Sequence, residues 1–120
     1  MIKKILVIDD EVNICNILRK YFTDRGYTVF TSTEACEGLM MLNQEKPDVL
    51  ILDIRMPGLN GIDTLRLARE VNQNIRVIML TAIRDELIVK EAAALGASVY
   101  MTKPFNLEEL EKAIRGGFLS

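Results

Sequence analysis

Four consecutive apolar residues, Val49-Leu50-Ile51-Leu52, run into a single carboxylate, Asp53, and a Pro57-Gly58 turn signal follows close behind. An unbroken aliphatic run bounded in this way has the length of a strand, and the lack of polar alternation means that both its faces are covered. The run therefore reads as a buried strand that delivers one acid to the edge of a sheet, with the turn immediately beyond it. Taken alone, Asp53 is equally well a loop carboxylate capping something local. The rest of the chain decides between the two.

The same pattern recurs along the chain. Ile5-Leu6-Val7-Ile8 is a second aliphatic run, and it ends on Asp9-Asp10. Ile14, Cys15, Leu18, Tyr21 and Phe22 then recur at helical spacing from about Glu11 to Arg25, with Gly26 placed as the left-handed stop. A strand is expected over 27–31, and then a helix capped by Ser32 or Thr33 and carrying Ala35, Leu39 and Leu42. Pro47 breaks it ahead of the Val49–Asp53 strand, and Ile62, Leu65, Ala68 and Val71 mark one face of a helix over 60–72. A strand over 76–80 ends at Thr81, and an alanine-rich helix over 85–95 stops at Gly96. The last strand is expected over 97–101. Lys103-Pro104 closes it, and Asn106 with Glu109 opens a final helix bearing Leu107, Leu110 and Ile114.

Five strands alternating with five helices require right-handed crossovers and a parallel sheet covered on both faces, an α/β fold of (βα)5 type. At 120 residues, with no linker or repeat, the span 1–120 reads as one domain large enough for its own core. All strand C-termini then lie on one rim. Asp9, Asp10, Asp53, Thr81 and Lys103 converge there, at the edge where open sheets of this kind bind ligands. This convergence favours the functional reading of Asp53.

Composition narrows the chemistry. The chain has no histidine, so it has no Ser-His-Asp triad and no imidazole metal site. Basic and acidic residues are interspersed around a net charge of −2, which leaves no clustered face for a phosphate backbone. Direct nucleic-acid binding by this span is not expected. No apolar stretch reaches membrane-spanning length and the N-terminus has no signal-peptide pattern, so a cytoplasmic location is expected. Cys15 and Cys36, without CxxC spacing, read as small buried hydrophobes.

Carboxylates, a hydroxyl and a lysine remain. Two carboxylates about 4 Å apart repel by roughly 4 kcal/mol at an effective dielectric near 20, so such a rim takes up protons or a cation. Oxygen ligands alone select a hard ion, and few carboxylates with room for water favour Mg²⁺. Mg²⁺ beside a lysine and a threonine hydroxyl suits phosphoryl transfer, with Asp53 as the nucleophile.

Asp9-Asp10, Asp53, the Met56-Pro57-Gly58 turn, Thr81-Ala82, Tyr100 and Lys103-Pro104 together resemble a two-component response-regulator receiver domain, of CheY-like fold. The likeness spans the whole chain in order. It implies strand order 2-1-3-4-5 in a flavodoxin-like three-layer sandwich, and a phosphorylation-activated regulatory switch rather than an enzyme acting on a separate substrate. It further implies that Asp53 is the phosphoacceptor for a sensor histidine kinase or phosphotransfer protein. By the same likeness, Asp10, Asp53 and the backbone carbonyl of Arg55 ligate Mg²⁺, with Asp9 acting mainly through water. Lys103 would pair with a phosphoryl oxygen, its bond to Pro104 being cis. Thr81 and Tyr100 would form the switch, and the Asp85–Arg115 face would meet an output domain or effector and support a phosphorylation-dependent homodimer. Arg55 and Ile83, flanking the acceptor and Thr81, are residue types expected to slow loss of the phosphoryl group.

Other readings of an aspartyl nucleophile at a parallel-sheet edge predict different neighbours. A Mg²⁺-dependent phosphatase of the haloacid-dehalogenase type places two acids one residue apart after its first strand and needs a lid, whereas Asp9 and Asp10 are adjacent. A flavodoxin-like flavin binder wants a hydroxyl- and glycine-rich phosphate loop where Asp9-Asp10-Glu11 stands. A receiver-like scaffold that binds protein constitutively would keep the fold without taking a phosphoryl group.

Overall fold

The computed structural model describes residues 3–53, 60–82 and 85–116. The expectations for Arg55, the Met56-Pro57-Gly58 turn and Ile83 lie outside the described residues. Strands β1 (Lys4–Ile8), β2 (Thr28–Ser32), β3 (Val49–Leu52), β4 (Arg76–Thr81) and β5 (Val99–Thr102) alternate with helices α1 (Val12–Asp24), α2 (Ala35–Glu45), α3 (Gly61–Val71), α4 (Glu86–Ala94) and α5 (Leu107–Arg115). The strands form one parallel sheet in the order β2-β1-β3-β4-β5. The doubly wound fold expected from the sequence is the observed one.

Side chains alternate across each strand, and this sorts the core into two layers. Leu6, Ile8, Leu50, Leu52, Val77 and Met79 face α2, α3 and α4, where Leu42, Leu65, Ala68 and Ala92 meet them. Ile5, Val7, Val49, Ile51, Ile78 and Leu80 face α1 and α5, against Leu18, Phe22, Leu110 and Ile114. Full burial on both sides explains why β1, β3 and β4 read as unbroken apolar runs. Against the first layer, α2 approaches so closely that a Cβ at Gly38 would stand 2.4 Å from Ile8 Cδ1.

Four expectations shift. Strands β2 and β5 begin later than predicted because the residues after Gly26 and Gly96 still close the preceding helices. Tyr27 N–H donates to Phe22 O and Ala97 N–H to Ala92 O, each a six-to-one closure over a glycine of positive φ. Glu34 rather than Ser32 or Thr33 is the N-cap of α2, and it makes no side-chain cap bond; Ser32 Oγ instead accepts from Glu34 N–H in the turn before it. Cys36, expected inside, is exposed on α2, while Cys15 is buried as expected. Val71, expected on the buried face, is the last residue of α3 and is 43% exposed.

Candidate functional site

The parallel register sets the rim. Ile8 lies opposite Leu52, and Leu52 opposite Met79, so the residues that follow β1 and β3 emerge side by side. The ladder continues one bond further: Asp53 N–H donates to Ile8 O and Asp9 N–H to Ser32 O, both at 3.0 Å. On the other side Lys103 N–H donates to Thr81 O at 2.9 Å, which anchors the lysine just past β5. The Lys103-Pro104 bond is cis, as the resemblance implied.

From that anchor the Lys103 ammonium reaches back over the sheet. Its Nζ donates to Asp9 Oδ2 at 2.8 Å, Asp53 Oδ2 at 3.0 Å and Glu11 Oε1 at 2.7 Å. Asp9, Asp53 and Thr81 are buried, at 2%, 3% and 0% exposure. Asp10 is exposed, yet its carboxylate belongs to a group with Asp9, Glu11 and Asp53 that each offer an oxygen within 4.8 Å of the others. Tyr100, half-buried on β5 and opposite Met79, packs against the layer that covers α3 and α4.

Four carboxylates around one ammonium are not neutral. Burial pushes the Asp9 carboxyl up to about 6, and the Asp53 charge adds to this, while hydrogen bonds from Lys103 and Glu11 N–H act against it. For Lys103, burial disfavours the ammonium, but the bonds to Asp9, Glu11 and Asp53 overcome it and hold its pKa above the ordinary value. The Tyr100 phenol is raised by burial and by the charges of Asp85 and Asp53, so it stays protonated at neutral pH. The donor set is all oxygen, acidic and partly open to water, and it fits a hard divalent cation.

A family model described as a response regulator receiver domain matches residues 5–115. The chain belongs to the response regulator receiver domain family. Receivers are the phosphorylation-activated switches of two-component signalling. They bind Mg²⁺ at an acidic pocket, and this receiver carries such a pocket. It is 34% identical over 115 residues to sporulation initiation phosphotransferase F of Bacillus subtilis (strain 168), covering 96% of this chain and 93% of that one. It is 37% identical to the alkaline phosphatase synthesis transcriptional regulatory protein PhoP of the same strain, covering 96% of this chain but only 48% of that longer protein. Among solved structures, a CheY-like receiver domain protein from Methanospirillum hungatei JF-1 superposes with TM-score 0.93 at 26% identity, over 98% of this chain and 94% of that one. The CheY of a CheX-CheY-BeF3-Mg complex from Borrelia burgdorferi gives TM-score 0.90 at 28% identity, over 98% and 90%.

Asp9, Asp10, Asp53, Thr81 and Lys103 therefore stand on the predicted rim of this receiver, and Tyr100 lies on the neighbouring strand within reach of the Asp53 charge. Glu11 was not among the sequence candidates, although it directly follows the acidic pair. Its sequence signal was only a third consecutive acid at the start of an amphipathic helix, where acids are common for dipole reasons alone.

Proposed function

We propose that this receiver takes a phosphoryl group onto Asp53 from the phosphohistidine of a sensor histidine kinase or a phosphotransfer protein, and that the modification changes what the domain binds. One observation carries this reading: Asp53 is buried at the rim yet held at 3.0 Å by a lysine that also bridges Asp9. In the transfer an Asp53 carboxylate oxygen forms the new bond to phosphorus as the bond from phosphorus to the imidazole nitrogen breaks. The departing nitrogen keeps the electron pair, and a proton already carried on the other ring nitrogen lets the imidazole leave neutral.

Asp10 and Asp53, with the carbonyl of Arg55, would hold Mg²⁺, and Asp9 would act mainly through water. When bound, the ion offsets negative charge on the transferring group. Support comes from the all-oxygen acidic pocket and from the Mg-containing Borrelia complex. Lys103 then pairs with a phosphoryl oxygen, a charge-assisted bond that the resting carboxylates already pre-orient. The Thr81 hydroxyl turns toward the phosphoryl group and Tyr100 moves inward, which biases two states of the α4-β5-α5 face.

Residues 1–120 act as one receiver domain in the cytoplasm, regulatory rather than metabolic. The Asp85–Arg115 face meets an output domain or separate effector and supports homodimerisation on phosphorylation. The test is intact mass after incubation with acetyl phosphate and Mg²⁺. One phosphoryl adduct is expected, abolished by chelator and by Asp53→Ala. An adduct that survives Asp53→Ala, or none in the folded native chain, overturns the reading.

A further inference from the structure

Glu11 is the residue the phosphoacceptor chemistry does not use, and its side chain is oddly spent. It is the N-cap of α1, but its carboxylate makes no cap hydrogen bond. Instead it crosses 92 positions in sequence to contact Lys103 at 2.7 Å, although the Glu11 side chain itself is 56% exposed. Its backbone is pinned, since Glu11 N–H donates to Asp9 Oδ1 at 2.8 Å. The carboxylate therefore swings on a fixed base.

The contact has a consequence for Lys103. An ammonium has three hydrogens, and Asp9, Glu11 and Asp53 accept all three. While Asp53 is still a free carboxylate, a phosphoryl oxygen of an incoming donor can reach Lys103 only when one acceptor yields. The Asp9 and Asp53 side chains are 3% and 4% exposed, so neither has water to turn into. Glu11 does, and moving an exposed carboxylate into solvent costs least. Its charge also opposes an incoming phosphodonor, because with one divalent cation the four carboxylates and one ammonium still leave the rim net negative.

We propose that Glu11 is a positioning residue that occupies the phosphoryl seat on Lys103 in the resting receiver, and so slows phosphorylation by anionic donors while strengthening cation binding. The proposal rests on the phosphoacceptor reading of Asp53. Loss of the Glu11 charge has opposite effects on two ligands of opposite sign, whereas a merely structural lesion weakens both.

The experiment compares the native chain, Glu11→Gln and Asp53→Ala. Phosphoryl uptake from acetyl phosphate at saturating Mg²⁺ is followed by intact mass at low and high salt, and Mg²⁺ affinity is measured by calorimetry. Glu11→Gln is expected to take up phosphoryl about tenfold faster at low salt, the gain shrinking to about twofold at high salt as screening removes the repulsion. Its Mg²⁺ affinity is expected to fall by about threefold. Faster uptake together with weaker Mg²⁺ binding supports the proposal, and any other combination overturns it. Uptake by Asp53→Ala, or none by the native chain, overturns the phosphoacceptor reading and this inference with it.

Discussion

The two ends of the sheet use charge in opposite ways. At the end where β4 and β5 begin, the Arg69 guanidinium, half-buried, donates to the carbonyls of Gln73, Ile75, Leu95 and Gly96. Every partner is backbone, so one side chain of α3 stitches the loop before β4 to the loop before β5. At the opposite rim the partners are other side chains: Asp9, Glu11 and Asp53 all compete for Lys103. Backbone acceptors are fixed and neutral. Charged side chains repel one another and swing. The first arrangement locks a fold, and the second stores the imbalance that a phosphoryl group or a cation can change.

The contrast is broken most severely at the locked end. Arg69→Ala strips the donors from four loop carbonyls, and hydrogen bonds to charged groups are each worth up to about 3 kcal/mol, so a total loss of about 3 kcal/mol is expected after partial rehydration. Urea unfolding followed by circular dichroism measures it. If the foot is only a lock, Arg69→Ala lowers the midpoint but the folded fraction still takes up phosphoryl at the native rate. A change in uptake rate at full folding would mean that the two ends are coupled.

At the rim, removing a charge has the opposite sign. The folded Asp9 pKa, about 6, lies above its ordinary value of 3.8. The stability tied to its protonation is therefore fully present below about pH 4 and is lost as pH rises through 6. At 1.36 kcal/mol per unit, ionising Asp9 costs the metal-free fold about 2 to 3 kcal/mol at neutral pH. Asp9→Asn is thus expected to be about 2 kcal/mol more stable than the native chain at pH 7.5 in chelator, and equal to it near pH 4. Added Mg²⁺ narrows the gap by stabilising the native form. Parallel pH profiles for the two proteins would show that the rim is as well compensated as the foot.

This asymmetry also decided what the sequence made legible. Strands β1, β3 and β4 announce themselves because both faces are buried, and each ends on or runs straight into a polar residue that no apolar period explains. Parallel topology then brings Asp9, Asp53, Thr81 and Lys103 together without further information. Arg69 left no such trace. It sits among exposed positions of an amphipathic helix, and its partners are carbonyls, which every residue has. Glu11 was hidden differently: its meaning lies in a contact with Lys103 that depends on the length of two flexible side chains. The late starts of β2 and β5 escaped because the helix-closing bonds of Tyr27 and Ala97 look, in sequence, like the first residues of strands.

The mildest probe returns to the locked end, at Asp48. Its Oδ2 accepts from the N–H groups of Lys3 and Lys4, both at 2.9 Å, tying the start of β1 to the turn before β3. Those backbone donors hold its carboxyl below the ordinary carboxylate value. A lowered folded pKa gives the reverse sign to Asp9: the stabilisation is present above about pH 4 and disappears as pH falls through the folded value. Because Asp48 is exposed, the effect is small, and Asp48→Asn is expected to cost less than about 1 kcal/mol at pH 7. An amide oxygen in the place of Oδ2 can still accept both N–H groups, so only the charge is lost. The two substitutions therefore move stability in opposite directions at pH 7.5, Asp9→Asn upward and Asp48→Asn slightly downward, and both differences vanish toward acid. If Asp48→Asn instead stabilised the fold, charge at the foot would be in excess as it is at the rim. The contrast between a backbone-satisfied end and a side-chain-frustrated end would then fail.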